Sequence, residues 1–207
     1  MIRWSIGLAI GFAPLVFLGW VALSGQMESP SAQPEVVAAA APAAVRADVR
    51  SLPGGALTPA LRAELRGLPH LRGPALTEGS LADKVVLVTF FASWCGPCRV
   101  ELEHLKTAHE VYSGFGVEVL AVNLFENFDD LSNDRRLAAY LDRLDPPFPV
   151  VEGNPAISRA FGQIDRIPTL LIYDRQGTRA VRFINARGGR KTSLDFAGIS
   201  GQIERLL

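Results

Sequence analysis

Cysteine is scarce in this chain, with two residues in 207. That excludes a small scaffold stapled by several disulfides. A surplus of charge of one sign is missing too, since Lys plus Arg and Asp plus Glu both number 21. Nucleic-acid-binding domains normally concentrate a basic surplus, so that class is excluded and no nucleic acid is expected as a partner. No internal repeat is visible. What the chain does have is apolar material: 48% of its residues, against 20% charged. A disordered chain lacks that much core-forming residue. The composition fits one domain of ordinary size plus extra hydrophobic sequence.

The extra sequence lies at the front. Trp4 to Leu23 carries no charge and is preceded by Arg3. As a helix this run would be about 30 Å long, enough to cross a bilayer, with Trp4 and Trp20 near its two ends. An uncleaved signal anchor over residues 1–24 is the expectation. The alternative is a signal peptide cleaved near Ala22-Leu23-Ser24, although its apolar stretch would then be unusually long. A core helix has nothing to pack on ahead of a linker. After Arg3 the next basic residue is Arg46, so the positive-inside rule leaves the amino terminus in the cytoplasm and the rest outside. Residues 25–53 read as a semi-flexible Ala/Pro-rich linker, broken by Pro34, Pro42 and Pro53.

From residue 54 to 207 strands and helices alternate. Thr58-Pro59 reads as a cap and first helical position, with Leu57, Leu61, Leu65 and Leu68 as one stripe. Val85 to Phe91, Val117 to Asn123 and Thr169 to Tyr173 read as strands buried on both faces. Pro97 to Tyr112 reads as a helix with Leu102, Leu105 and Val111 inward and Gly114 as its stop. Ser132 or Asn133 caps a helix carrying Leu137, Leu141 and Leu144, and Asn154-Pro155 opens a shorter one. Asp174 to Gly177 turns into a strand over Ala180 to Asn185, and Ile199 and Ile203 mark a closing helix. The pattern is an α/β sandwich.

The two cysteines form Trp94-Cys95-Gly96-Pro97-Cys98, at the handover from a buried strand to a helix. Unpaired N–H groups and the dipole at a helix amino terminus stabilise a thiolate, lowering a cysteine pKa from about 8.5 toward 7 or below. Cys95 can then attack a disulfide, and Cys98, one turn on, can resolve the mixed disulfide. A metal site would need more ligands than His70, His104 and His109 offer, and His104 and His109 are expected to face solvent. A purely structural bridge over so few residues would restrict the unfolded chain little. The redox reading is preferred, with no metal and no cofactor beyond the Cys95–Cys98 disulfide.

Trp-Cys-Gly-Pro-Cys after an apolar strand, followed by Ile167-Pro168-Thr169, resembles the thioredoxin superfamily over roughly residues 71–207. The resemblance implies a thioredoxin-like sandwich: a central mixed sheet flanked by helices. It also implies a cis Pro168 packed on the dithiol, with the Ile167 backbone pairing an extended client segment. Trp94, Gly96 and Pro97 would shape the site. Leu124 to Pro149, which inserts a helix, and Glu101, three residues after Cys98, fit the membrane-anchored branch that includes TlpA, ResA and CcmG. The buried acid of thioredoxin is Thr89 here. Glu101 either assumes part of that role or is a plain solvated helix residue; the sequence allows both. The branch implies a single-pass protein of the bacterial inner membrane with its catalytic domain in the periplasm. It would reduce client disulfides, in cytochrome c or copper-oxidase maturation, using electrons from a transmembrane thiol carrier. The alternatives are a disulfide-forming oxidant, a copper-delivery module or a peptide-binding module.

Overall fold

The computed structural model describes residues 51–127, 134–185 and 192–207. The expected anchor over 1–24, most of the linker, and the cap at Ser132 or Asn133 lie outside the described residues. Among the described residues, no helix is long and apolar enough to cross a membrane.

Helix α1 (Pro59–Arg66) begins where the Thr58 hydroxyl accepts the Leu61 N–H at 3.1 Å, with proline presetting the first helical φ. Leu61 and Leu65 form its buried stripe. Thr58→Ala should cost about 1 kcal/mol, seen as a lower urea midpoint at unchanged slope.

Beyond it follow β1 (His70–Arg72), β2 (Val85–Phe91), α2 (Gly96–Tyr112), β3 (Val117–Asn123), α3 (Asp134–Leu144), β4 (Val150–Glu152), α4 (Pro155–Ala160), β5 (Thr169–Tyr173), β6 (Arg179–Ile184) and α5 (Phe196–Glu204). The six strands lie in the order β1-β4-β3-β2-β5-β6. Strands β4, β3 and β2 are mutually parallel, whereas β1, β5 and β6 run antiparallel to their neighbours. The mixed sheet and flanking helices match the sandwich expected from the sequence.

Period-two alternation divides the central strand between two cores. Val85, Leu87 and Phe91 face a cluster with Leu102, Leu105 and Ala108 of α2 and Ile199 and Ile203 of α5. Val86, Val88 and Phe90 face the opposite cluster, with Leu61 and Leu65 of α1 and Ile157 of α4. There Phe90 meets Phe161 edge-on at 5.2 Å between centroids.

Three details of α2 differ from the sequence reading. Val111 is 48% exposed and Ala108 takes the inward place, because the stripe advances by three and four residues from Leu105. The chain leaves the helix through a 3₁₀ turn, Ser113–Phe115, and its left-handed stop is Gly116 at φ 81°, not Gly114. His109 does not face solvent: its Nε2 lies 3.3 Å from Glu118 Oε1 and its ring edges onto Phe148. Strands β1 and β4 have three residues each, and the sequence pattern does not reveal them.

The incoming chain is fastened to the start of β6. Ala56 bridges Thr178, Leu57 N–H donates to Gly177 O at 2.8 Å, and Arg179 N–H donates to Gly55 O at 2.9 Å. Tyr173 Oη donates to Gly54 O at 2.7 Å.

Candidate active site

Parallel β2 and β3 end side by side, with Phe91 opposite Asn123. The loops beyond their carboxyl ends therefore meet, which is where open α/β sheets build their sites. Four residues past β2, Cys95 is the N-cap of the 17-residue α2, with extended φ −80° and ψ 105°. Its Sγ accepts the Cys98 N–H at 3.2 Å. Cys95 and Cys98 are joined as a disulfide. Cys95 is 6% exposed and Cys98 1%, so both are buried in one core cluster and the first is the more exposed of the two. Gly96 is exposed, with open space where a Cβ would project, and Pro97 follows in the first helical turn.

The Ile167–Pro168 bond is cis, as the resemblance implies. Thr169 pairs with Phe90, so the cis bond stands one residue beyond, at the end of the sheet that carries the cysteines. Pro168 is buried, and half-buried Ile167 packs on the cluster that contains Cys95 and Cys98. Asn185 secures this corner: its N–H donates to Pro168 O at 3.1 Å and its Nδ2 to Ile167 O at 3.3 Å. The Ile167 carbonyl thus has an internal donor, which a client strand would have to share or replace.

Glu101 is not a solvated helix residue. It is fully buried on the Cys98 side of α2, where the Thr89 hydroxyl donates to its Oε1 at 2.8 Å. Burial raises its pKa to about 7, opposed by the Thr89 hydrogen bond and more weakly by the Leu194 backbone. Among the described residues, Oε2 has no hydrogen-bond partner of good geometry. Thr89 stands at the place of thioredoxin's buried acid and donates its hydroxyl to Glu101.

The sequence reading misses a second buried carboxylate. Glu126 accepts the Ser93 N–H at 2.9 Å, the Ser93 hydroxyl, and Asn123 Nδ2 at 3.0 Å. Trp94 Nε1 donates to Phe125 O at 2.9 Å. Nothing in the local sequence flags this network. Only the parallel pairing of β2 and β3 reveals that Glu126 returns to Ser93.

A family model described as Redoxin matches residues 55–195. The chain belongs to the Redoxin family. It is 28% identical over 95 residues to the thiol-disulfide oxidoreductase ResA of Geobacillus thermodenitrificans, covering 45% of this chain and 51% of that one. Its identity to ResA of Halalkalibacterium halodurans is 30% over 111 residues, covering 53% and 59%. The chain thus spans about half the length of the curated relatives it matches. A solved thiol:disulfide interchange protein from Chlorobium tepidum shares the fold, with a TM-score of 0.53 and 22% identity, covering 67% of this chain and 94% of that one. A thiol-disulfide isomerase from Corynebacterium glutamicum does likewise, with a TM-score of 0.56 and 18% identity, covering 67% and 90%. This Redoxin-family chain is accordingly a ResA-like member of the thioredoxin superfamily.

Proposed function

We propose that the chain is a membrane-tethered, extracytoplasmic thiol–disulfide oxidoreductase that reduces disulfides of client proteins. The observation that carries this reading is the placement of Cys95 as the N-cap of α2, disulfide-linked to buried Cys98 beside a cis proline. In the reduced protein the Cys95 thiolate attacks a client disulfide. A Cys95–client bond forms as one client sulfur leaves as thiolate. The Cys98 thiolate then attacks Cys95 Sγ, expels the second client sulfur and leaves the Cys95–Cys98 disulfide seen here. Two electrons pass to the client, which takes up two protons as its thiols form. Glu101, one helical turn beyond Cys98 and held near the middle of the physiological range, is placed to take the Cys98 proton. Trp94, Gly96, Pro97, Ile167 and Pro168 shape the surface that receives the client.

Repeated turnover in an oxidising compartment needs fresh electrons. A transmembrane thiol carrier is the proposed donor, with apocytochrome c or copper-oxidase precursors as clients. The relatives named ResA support this reading, as do the uncharged run Trp4 to Leu23 and the insertion carrying α3. No cofactor other than the dithiol is required. The Gly-Pro pair between the cysteines favours a thioredoxin-like reductant, so equilibration with glutathione should give a potential near about −270 mV. A value near about −120 mV would identify an oxidant instead.

A further inference from the structure

Reduction removes the covalent link between Cys95 and Cys98, yet the attacking thiolate must stay at the N-cap of α2. The hydrogen bonds around the loop show what can keep it there. Phe91 O accepts the Leu124 N–H at 2.7 Å and Asn123 Nδ2 at 3.4 Å. Ser93 gives both its N–H and its hydroxyl to Glu126, and Trp94 gives its indole N–H to Phe125 O. Cys95 N–H closes the turn onto Ala92 O at 3.1 Å. Of the four residues before the nucleophile, three are therefore bound to the short turn after β3. That turn needs Phe125 at φ 62°, an unfavourable conformation for a bulky side chain that persists only where its surroundings enforce it. In this conformation Phe125 O meets Trp94 while Glu126 returns to Ser93. Glu126 itself is 9% exposed, and its two oxygens take three donors.

We infer that Glu126 is a positioning residue for the redox reaction, a buried splint that holds Ser93 and so keeps the reduced Cys95 sulfur at the helix amino terminus. The inference rests on Cys95 being the attacking thiol. Without the splint the loop relaxes, the sulfur leaves the N–H groups and dipole that stabilise its thiolate, and reactivity at neutral pH falls.

The test measures iodoacetamide alkylation of reduced Cys95 against pH, with Cys98→Ser as the parent so that one thiol reports. Glu126→Ala should alkylate about tenfold more slowly at pH 7 and move the midpoint of the pH profile upward. Glu126→Gln keeps an acceptor oxygen but loses the charge. Positioning places it between the parent and Glu126→Ala, whereas a purely electrostatic role makes it faster than the parent. Ser93→Ala, which deletes only the hydroxyl donor, should shift the profile the same way by a smaller factor. It decides the question if Glu126→Ala does not fold. Unchanged or accelerated alkylation in Glu126→Ala, or in Ser93→Ala where that variant decides, would overturn the inference. The readout requires no client: failure to reduce insulin defeats the reductase reading alone, and an unmoved pH profile defeats the splint alone.

Discussion

Cys95→Ser should lower the turnover of insulin disulfides by at least about a thousandfold. Cys95 holds the helix N-cap position and is the more exposed of the pair, 6% against 1% for Cys98. A serine hydroxyl remains un-ionised at neutral pH and cannot form the mixed disulfide. Cys98→Ser has a different signature. Its Cys95 still attacks once, but the intermediate has no internal thiol to resolve it, so an adduct that dithiothreitol releases should accumulate on Cys95. In cells that adduct would identify the clients. Retention of more than a tenth of wild-type turnover in Cys95→Ser would mean that another group carries the reaction.

Glu101→Gln should stabilise the oxidised protein at pH 8 by about 3 kcal/mol and leave it unchanged at pH 4. The sign follows from proton binding. Burial keeps the folded carboxyl protonated up to about pH 7, while the unfolded chain releases that proton near 4.5. Between these values the native state binds more protons than the unfolded state, so stability falls as pH rises. Below 4.5 both states are protonated and nothing is lost. Above about 7 the loss is complete, and at about 1.36 kcal/mol per pH unit the gap gives the stated figure. Glutamine keeps the side chain's shape and an oxygen to accept the Thr89 hydroxyl, without a proton to lose. Urea titrations at the two pH values measure both arms. Equal stability of variant and wild type at pH 8 would show that the carboxylate is solvated after all.

The legible parts of the fold were those buried on both faces. Strands β2, β3 and β5 each read as a continuous apolar run because no side of the strand meets water. Short β1 and β4 have too few residues to show a period, and their pairing depends on chain segments far apart in sequence. The stop of α2 fell two residues late because Gly114 continues into a 3₁₀ turn and only Gly116 adopts a positive φ. Cys95 and Cys98 were legible because their chemistry is tied to a local spacing, whereas the cis bond at Pro168 was implied by the family resemblance. Glu101 was half legible: its position three residues after Cys98 is evident, while its burial depends on Thr89 and on the chain near Leu194. Glu126 was not legible, since its partners Ser93 and Asn123 meet it only through the register of two parallel strands.

The bridge from Ala56 to Thr178 would take the load of any pull on the incoming chain. Strand β5 runs from the cis proline at its start to Tyr173 at its end, so the grip on the incoming chain and the dithiol occupy opposite ends of the sheet. A pull on the chain from its amino-terminal side would meet first the Arg179–Pro53 and Tyr173–Gly54 hydrogen bonds, then the Gly55–Arg179 and Leu57–Gly177 pairs. Tension is spent there, with the length of the sheet between it and Cys95. A domain held this way can be dragged, tethered or refastened through its front end without disturbing the geometry of its sulfurs.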